Sequence, residues 1–244
     1  MRFNRKNLDN ILFLDIETVP FHAQYHELSD EGKQLWDLKS ASMSRYYTDQ
    51  EIEPDQMYDM KSGIFAEFAK IICISVGYIK VGSEIAIRVK SFSGEEKELL
   101  TEFGALLDKH FDNPNKDYLC GHNIKEFDIP FICRRMIING VEFPKLLNIS
   151  NKKPWELNYL LDTLHMWKFG DFKNYTSLRL LAYCLGIPSP KDDIDGSQVA
   201  KVYYEEKDLD RIVTYCEKDV VTTARVFLKM TGFDPSVLNI EHAT

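Results

Sequence analysis

Residues 11–19 of the chain read ILFLDIETV, an apolar run that contains two acids, Asp15 and Glu17. Apolar residues occupy both alternating faces of the run before the first acid, which is typical of a central strand buried on both sides. Acids two positions apart on a strand point to the same side of the sheet. The run therefore predicts a central strand whose far end carries a pair of carboxylates.

A strand–helix alternation follows beyond residue 70. The predicted elements are, in order, a β-hairpin about Gly82-Ser83, helices over 95–111 and 129–140, strands over 117–121 and 158–167, a short helix over 176–186 and a long helix over 207–230. The predicted strands 117–121 and 158–167 lie between or beside predicted helices. Strands first and strand–helix alternation afterwards predict an α/β or α+β fold with a mixed sheet.

The stretch 21–69 differs from the rest because it is polar, aromatic-rich and helix-prone. Helical pieces are predicted at 28–39 (LSDEGKQLWDLK) and 65–70 (FAEFAK). We interpret the stretch as a helical insertion after the first strand. Without internal repeats or a low-complexity linker, residues 1–244 are expected to form a single domain.

The composition is that of an ordinary globular protein, with 44% hydrophobic and 28% charged residues. The sequence contains no run of about 18 apolar residues, so no membrane span is expected. The five cysteines are scattered and never spaced C-x-x-C, which argues against a disulfide framework or a zinc site and favours the reducing cytoplasm.

The charge balance is acidic, with 30 Lys and Arg against 38 Asp and Glu, a net charge of −8. Proteins that hold nucleic acid by charge alone are usually basic. A polyanionic partner would therefore need local basic side chains or cations held by some of the carboxylates. Candidate basic residues are Lys125, Arg134, Arg135, Lys168, Lys173 and Arg179.

Three acidic positions besides Asp15 and Glu17 call for an interpretation. Asp128 precedes Ile129-Pro130 at a predicted helix start, where helix capping is the alternative to a functional role. Asp219 follows Tyr215 by four residues, so the two share a helix face, but the same spacing recurs at Tyr204 and Asp208. Asp162 is interpreted as a residue that supports the site or forms a turn. Solvated strand-end acids are the alternative for the first pair.

Taken together and in order, three segments carry a specific resemblance: FLDIET at 13–18, GHNIKEFDIP at 121–130 and YCEKDV at 215–220. They resemble the three exonuclease motifs of the DEDD superfamily of 3′–5′ exonucleases. The tyrosine four residues before the last acid resembles the DEDDy, DnaQ-like subgroup, particularly the proofreading domains of family B DNA polymerases. The resemblance covers residues 11 to about 230 except 21–69, without a polymerase domain.

This resemblance implies an RNase H-like fold, a mixed five-stranded sheet flanked by helices. It also implies that Asp15, Glu17, Asp128 and Asp219 hold two divalent ions, Mg²⁺ or Mn²⁺, with Asp15 touching both. Tyr215 would orient the attacking water. Four carboxylates and two divalent cations sum to zero charge, which removes the objection raised by the acidic composition.

The same resemblance implies substrate contacts at Asn123, Phe127, Tyr215, Thr18 and the neighbouring backbone of Ile16. Phe127 would stack on a terminal base. His122 and His165 are instead interpreted as structural residues, in a loop and in the packed core respectively.

The sequence thus favours a metal-dependent 3′–5′ exonuclease that releases nucleoside monophosphates, and single-stranded DNA is favoured over RNA as the interpretation of its substrate. One alternative is an RNase D-like exoribonuclease, which would share the motif pattern. Another is a non-catalytic nucleic-acid-binding module on the same fold. A dinucleotide-binding oxidoreductase is not supported, because no G-x-G-x-x-G follows a strand.

Overall fold

The computed structural model describes residues 5–47, 52–82, 84–171, 173, 175–188 and 194–242. The strands described are β1 (Ile11–Pro20), β2 (Ala69–Val81), β3 (Ile85–Ser93), β4 (Tyr118–Gly121), β5 (Leu160–Asp162) and β6 (Leu238–His242). The helices described are α1 (Asp30–Tyr47), α2 (Pro54–Lys61), α3 (Glu96–His110), α4 (Asp128–Asn139), α5 (Thr163–Lys168), α6 (Leu178–Cys184), α7 (Val199–Lys201) and α8 (Leu209–Met230). None of these helices is both long and apolar enough to cross a membrane.

The strands form one mixed sheet in the order β5-β4-β1-β2-β3-β6. The strand β2 pairs antiparallel with β1 and with β3. On the other side of β1, β4 pairs parallel with β1 and β5 pairs parallel with β4. The mixed α/β fold is confirmed, but the described sheet has six strands rather than five. The sixth, β6, pairs parallel with β3 at the edge. Only Leu238 in it is buried, so its sequence carries little strand signal.

The two faces of β1 belong to different cores. Leu12, Leu14 and Ile16 pack with α3 and α4 on one face. On the other face, Ile11 and Phe13 pack with α8, where the rings of Phe13 and Phe227 meet edge to face at 5.7 Å. The predicted burial of this strand on both sides is confirmed, and its odd-numbered positions, which include both acids, face α8.

The insertion after β1 is helical, as predicted, and is built around Trp36. The Trp36 ring lies 5.1 Å from the ring of Tyr58 and 5.0 Å from that of Phe68. The helix predicted over 65–70 is wrong, because Phe65 and Phe68 pack on Trp36 from turns and β2 already begins at Ala69. The helix α2, in contrast, was not predicted.

The insertion is also tied to the end of β1. The Thr18 hydroxyl donates a hydrogen bond to the Gly63 carbonyl at 2.7 Å. The Tyr58 hydroxyl donates to the His22 carbonyl at 3.1 Å. The first bond joins the insertion to the strand that carries the acid pair, and the second holds the chain just beyond the end of that strand against α2.

The strand predicted over 158–167 is wrong beyond Asp162. The Asp162 carboxylate accepts hydrogen bonds from the backbone N–H groups of Leu164 and His165, at 2.9 and 3.2 Å, and so caps α5. His165 is consequently not a packed core histidine. It lies near the surface, where its Nε2 contacts Glu126 at 3.0 Å.

Arg135 is not a solvated candidate for binding phosphate, because it forms a buried ion pair with Glu96. Arg135 donates to both carboxylate oxygens, at 2.8 and 2.6 Å, and also to the Ala66 carbonyl at 2.8 Å. The same Glu96 carboxylate accepts from the backbone of Ile71 at 2.7 Å. One ion pair therefore joins α3, α4, β2 and the end of the insertion.

Replacing Glu96 by glutamine should be strongly destabilising, because it leaves the Arg135 charge buried without a counter-charge. We expect the free energy of unfolding to fall by about 3–5 kcal/mol, and the melting temperature by about 2–4 °C per kcal/mol. Urea denaturation and calorimetry measure these changes. Glu98→Gln, on the exposed side of the same helical turn, should stay within about 0.5 kcal/mol of the wild type. Similar losses in both variants would contradict the role of the ion pair.

Candidate functional site

The two acids of β1 lie between two apolar clusters on the face toward α8. Phe13 belongs to the cluster on one side, and Val19, with Ile72 and Ile212, to the cluster on the other. Glu17 is only 8% exposed, and Asp15 is half-buried. The alternative of solvated strand-end acids is therefore not what the structure shows.

Small residues of β2 make room for these acids. Ser75 pairs with Asp15, Cys73 with Glu17, and Gly77 with Phe13. A Cβ atom on Gly77 would lie 2.9 Å from side-chain carbons of Ile87 and Val220, so only glycine admits α8 this close to the sheet. This packing brings the middle of α8 over the acid pair.

The middle of α8 contributes Tyr215, Cys216 and Asp219. The Cys216 Sγ lies 3.4 Å from both the backbone oxygen and Oδ2 of Asp15. Ligand atoms of Asp15, Glu17 and Cys216 all lie within 4.8 Å of one another. The Tyr215 hydroxyl hydrogen-bonds the Asp219 carboxylate, whose charge in turn acts on Asp15 and Glu17. The shared helix face predicted for Tyr215 and Asp219 thus meets β1.

Asp128 reaches the same place from the start of α4. It is the first residue of that helix, is 3% exposed, and follows Phe127, which occupies the capping position. Its carboxylate accepts hydrogen bonds from its own backbone N–H and from that of Ile16 in β1. Ile16 thus contributes its backbone here, while its side chain is buried in the core on the opposite face.

The environment raises the pKa of Asp15, Glu17 and Asp128. Burial raises the pKa of Asp15 and of Glu17 well above the ordinary range, and the neighbouring carboxylates raise both further. Burial, followed by the charge of Asp162, raises the pKa of Asp128 to about 7. Burial and the charges of the acids also raise the pKa of Tyr215, so its phenol stays protonated. Bound cations would therefore strongly stabilise the charged carboxylates of this cluster.

The donor set fits divalent metal ions. Carboxylate oxygens are the ligands preferred by Mg²⁺ and Mn²⁺. Four carboxylates that repel one another in a partly buried site lose that repulsion when cations bind. The set consists of Asp15, Glu17, Asp128 and Asp219, which the fold brings from β1, α4 and α8.

Asp162 supports the loop that leads to Asp128, in agreement with the interpretation from sequence. Besides capping α5, its carboxylate accepts from the backbone N–H groups of Asn123 and Lys125, both at 3.1 Å. Asn123 adopts a left-handed conformation with φ of 66°. The capping carboxylate thus fixes the turn that directs the chain into α4.

The predicted substrate residues differ in how free they are to bind a ligand. The Asn123 Oδ1 is buried without a hydrogen-bond partner among the described residues. Phe127 is half-buried against Phe131, with ring centroids 5.5 Å apart. The Thr18 hydroxyl is already bonded to Gly63. Of these three residues, Asn123 therefore has a buried side-chain oxygen that is left to accept a hydrogen bond from a ligand.

A network of thiols and hydroxyls beneath the acids was missed from sequence. Cys216 hydrogen-bonds Cys73, which lies 3.5 Å from Ser75, and Ser75 lies 2.8 Å from Ser91. Ser91 donates to Glu217 at 2.8 Å. The alternation of small residues at Cys73, Ser75 and Gly77 in an otherwise apolar strand is the signal that could have located it.

Comparison with protein families decides the class. Residues 64–243 match the family model described as a predicted 3′–5′ exonuclease related to the exonuclease domain of PolB. The chain belongs to this family. Asp128, Tyr215 and Asp219 of this exonuclease-family protein lie within the matched residues, whereas Asp15 and Glu17 precede them. The expected enzyme class and the relation to family B polymerases are confirmed.

Comparison with solved structures supports the fold of this exonuclease-family protein. The family B DNA polymerase from the hyperthermophilic archaeon Pyrobaculum calidifontis is similar, with a TM-score of 0.54 and 14% sequence identity. The match covers 90% of this chain but 25% of the polymerase chain, so the chain spans about a quarter of that protein. At this identity the likeness shows the fold alone, which agrees with the RNase H-like expectation. No curated protein matches the sequence.

The stability of the metal-free protein should depend on the protonation of the acid cluster. The pKa of Asp128 rises from its ordinary 3.8 to about 7 on folding, so the unfolded chain loses this proton at lower pH. Without metal, the contribution of this group to the free energy of unfolding is full below about pH 4 and lost as the pH rises to 7. We expect Asp128→Asn to reduce this loss, measured as melting temperature in EDTA from pH 5 to 8.

Added Mn²⁺ should raise the melting temperature of the wild type more at pH 8 than at pH 5, because protons compete with the metal for the same oxygens. Asp112→Asn, at an exposed position, is the control and should follow the wild type throughout. An Asp128→Asn protein that also follows the wild type in EDTA would contradict the expected protonation.

Proposed function

We propose that this protein degrades single-stranded DNA from its 3′ end and releases nucleoside monophosphates, with two divalent cations held by Asp15, Glu17, Asp128 and Asp219. The observation that carries the proposal is the convergence of these carboxylates from three separate stretches of a chain that belongs to the exonuclease family. We further propose that residues 1–244 act as one exonuclease domain.

Asp15 is the proposed central ligand. The charges of Asp128, Glu17 and Asp219 all raise the pKa of the Asp15 carboxyl group, so Asp15 lies among the other acids. In the proposed arrangement Asp15 would contact both cations, Glu17 and Asp219 would hold the first, and Asp128 would hold the second. The bound cations would supply an activated water and stabilise the charge that develops on the attacking and leaving oxygens.

Tyr215 is the proposed water-orienting residue. Its raised pKa keeps the phenol protonated, so it is not suited to remove a proton as a general base. Its hydroxyl is held by Asp219, a proposed metal ligand, and can rotate to share a hydrogen bond with a neighbouring water. Positioning by hydrogen bonding is therefore its proposed contribution.

Asn123 and Phe127 are the proposed contacts to the terminal nucleotide. The unpartnered Asn123 Oδ1 can accept a hydrogen bond from a sugar hydroxyl or a base amine. The half-buried Phe127 precedes Asp128 directly and can offer part of its ring to the terminal base. Thr18 and the backbone of Ile16 lie on the adjoining strand.

The proposal is tested on 5′-labelled oligonucleotides incubated with Mg²⁺ or Mn²⁺. We expect a ladder of products that shortens stepwise from the 3′ end. Asp15→Asn and Asp219→Asn should reduce the rate by about 100-fold or more, because the water is no longer activated. Tyr215→Phe should reduce it about tenfold, as for the loss of one hydrogen bond to a charged partner. Products are resolved on denaturing gels.

The matched control is Asp210→Asn, an exposed acid in the first turn of α8, which should cleave at the wild-type rate. Shortening of the oligonucleotide that persists in both Asp15→Asn and Asp219→Asn would contradict the proposed site. Single-stranded RNA of the same sequence, run in parallel, tests the exoribonuclease alternative, because a pocket that excludes the 2′-OH leaves RNA intact. Binding without cleavage of either polymer would favour the non-catalytic module.

A further inference from the structure

The segment 167–183, in the part that the structure describes, presents exposed aromatic side chains beside the candidate site. Phe169 is 90% exposed and ends α5 in a left-handed conformation, with φ of 45°. Tyr175 is 66% exposed in the connection to α6. Large exposed rings gathered on one segment mark an interaction surface more often than isolated ones do.

Tyr175 is held next to the second motif by His122. The two rings meet edge to face, with centroids 6.5 Å apart and planes at 72°. The His122 Nε2 lies 2.9 Å from the Thr176 carbonyl, which can only accept, so this nitrogen carries the proton. The other ring nitrogen lies 2.9 Å from the Thr163 hydroxyl. His122 therefore has the structural role interpreted from sequence, and what it positions is the backbone beside Tyr175.

Tyr175 is close enough to the acids for their charges to act on its phenol. Burial of part of the side chain raises the pKa of the phenol, and the charges of Asp128, Asp162 and Asp15 raise it further. The ring thus lies at the border between the acid cluster and open solvent. Its phenol stays neutral, so it does not repel a phosphate.

The segment that contains Tyr175 is rich in basic residues, in a protein whose net charge is −8. Lys168, Lys173 and Arg179 belong to the same segment, against a single acid, Asp171. The side chains of Lys173 and Arg179 are exposed. Cations interleaved with open aromatic rings are the arrangement by which proteins hold single-stranded nucleic acid.

We propose that Tyr175 is a stacking platform for a nucleobase near the 3′ end of a bound single strand. The inference rests on the proposed function and extends it, because it assigns the bound DNA strand a path past Tyr175. Stacking on a ring face accepts every base, which suits an enzyme that must process any sequence. His122 is then a positioning residue for this platform.

Equilibrium binding of a fluorescent single-stranded DNA in EDTA tests the platform without turnover, with a gel to verify that the oligonucleotide stays intact. Tyr175→Ala should weaken binding about 5- to 100-fold, the range for loss of one base–aromatic stack. Tyr175→Phe keeps the ring and should remain within about twofold of the wild type. Trp155→Ala is the matched control, since Trp155 is also 66% exposed but lies before β5, at the opposite end of that strand from Asp162.

Oligonucleotides with one abasic position identify the contact. If Tyr175 stacks on a base, removing that base should abolish the difference between the wild type and Tyr175→Ala at one of the last three positions. Equal affinities of wild type and Tyr175→Ala for intact DNA, in a protein that shortens DNA with Mn²⁺, would overturn the platform and leave the proposed function standing. A Tyr175→Ala defect in a protein that never shortens DNA would support the platform and overturn the proposed function.

Discussion

Close packing of the last long helix on the first two strands is the constraint on which the candidate site depends. Gly77 lets α8 approach, and Cys216 contacts both the backbone and the carboxylate of Asp15. Tyr215 and Asp219 are fixed relative to Cys216 by the helix itself, so this one contact sets where both lie. The site is therefore a product of helix-on-sheet packing rather than of any local motif.

The buried acid cluster makes the free energy of folding less favourable, and the apolar clusters around it compensate for this cost. Burial and the charges of neighbouring carboxylates raise the pKa of Asp15, Glu17 and Asp128, which means that the metal-free fold disfavours their charged forms. The rings and aliphatic side chains on either side of the pair are well packed, as at Phe13 and Phe227. The acid cluster thus lowers the stability of the metal-free fold, and the packed apolar side chains on both sides of it stabilise the fold.

The elements that sequence predicts correctly are those with a local cause. The first strand has its doubly apolar pattern and α8 has its apolar stripe. The strand carries the candidate acids Asp15 and Glu17, and the helix carries Tyr215 and Asp219, each pair in fixed spacing. What sequence misses depends on partners far along the chain. Asp162 ends a strand by capping a helix, and Arg135 is buried only because Glu96, 39 residues away, meets it. No periodicity encodes either event.

The ties between the insertion and the rest of the fold bear on how this protein can be divided. Gly63 bonds the first strand, and Ala66 bonds Arg135, whose partner Glu96 also holds Ile71. The insertion consequently cannot be transferred to another protein by recombination without the residues that bond to it. A transferred insertion would have to include Arg135, Glu96 and the end of β1. Without both members of the ion pair, a buried charge would remain unpaired in the new protein.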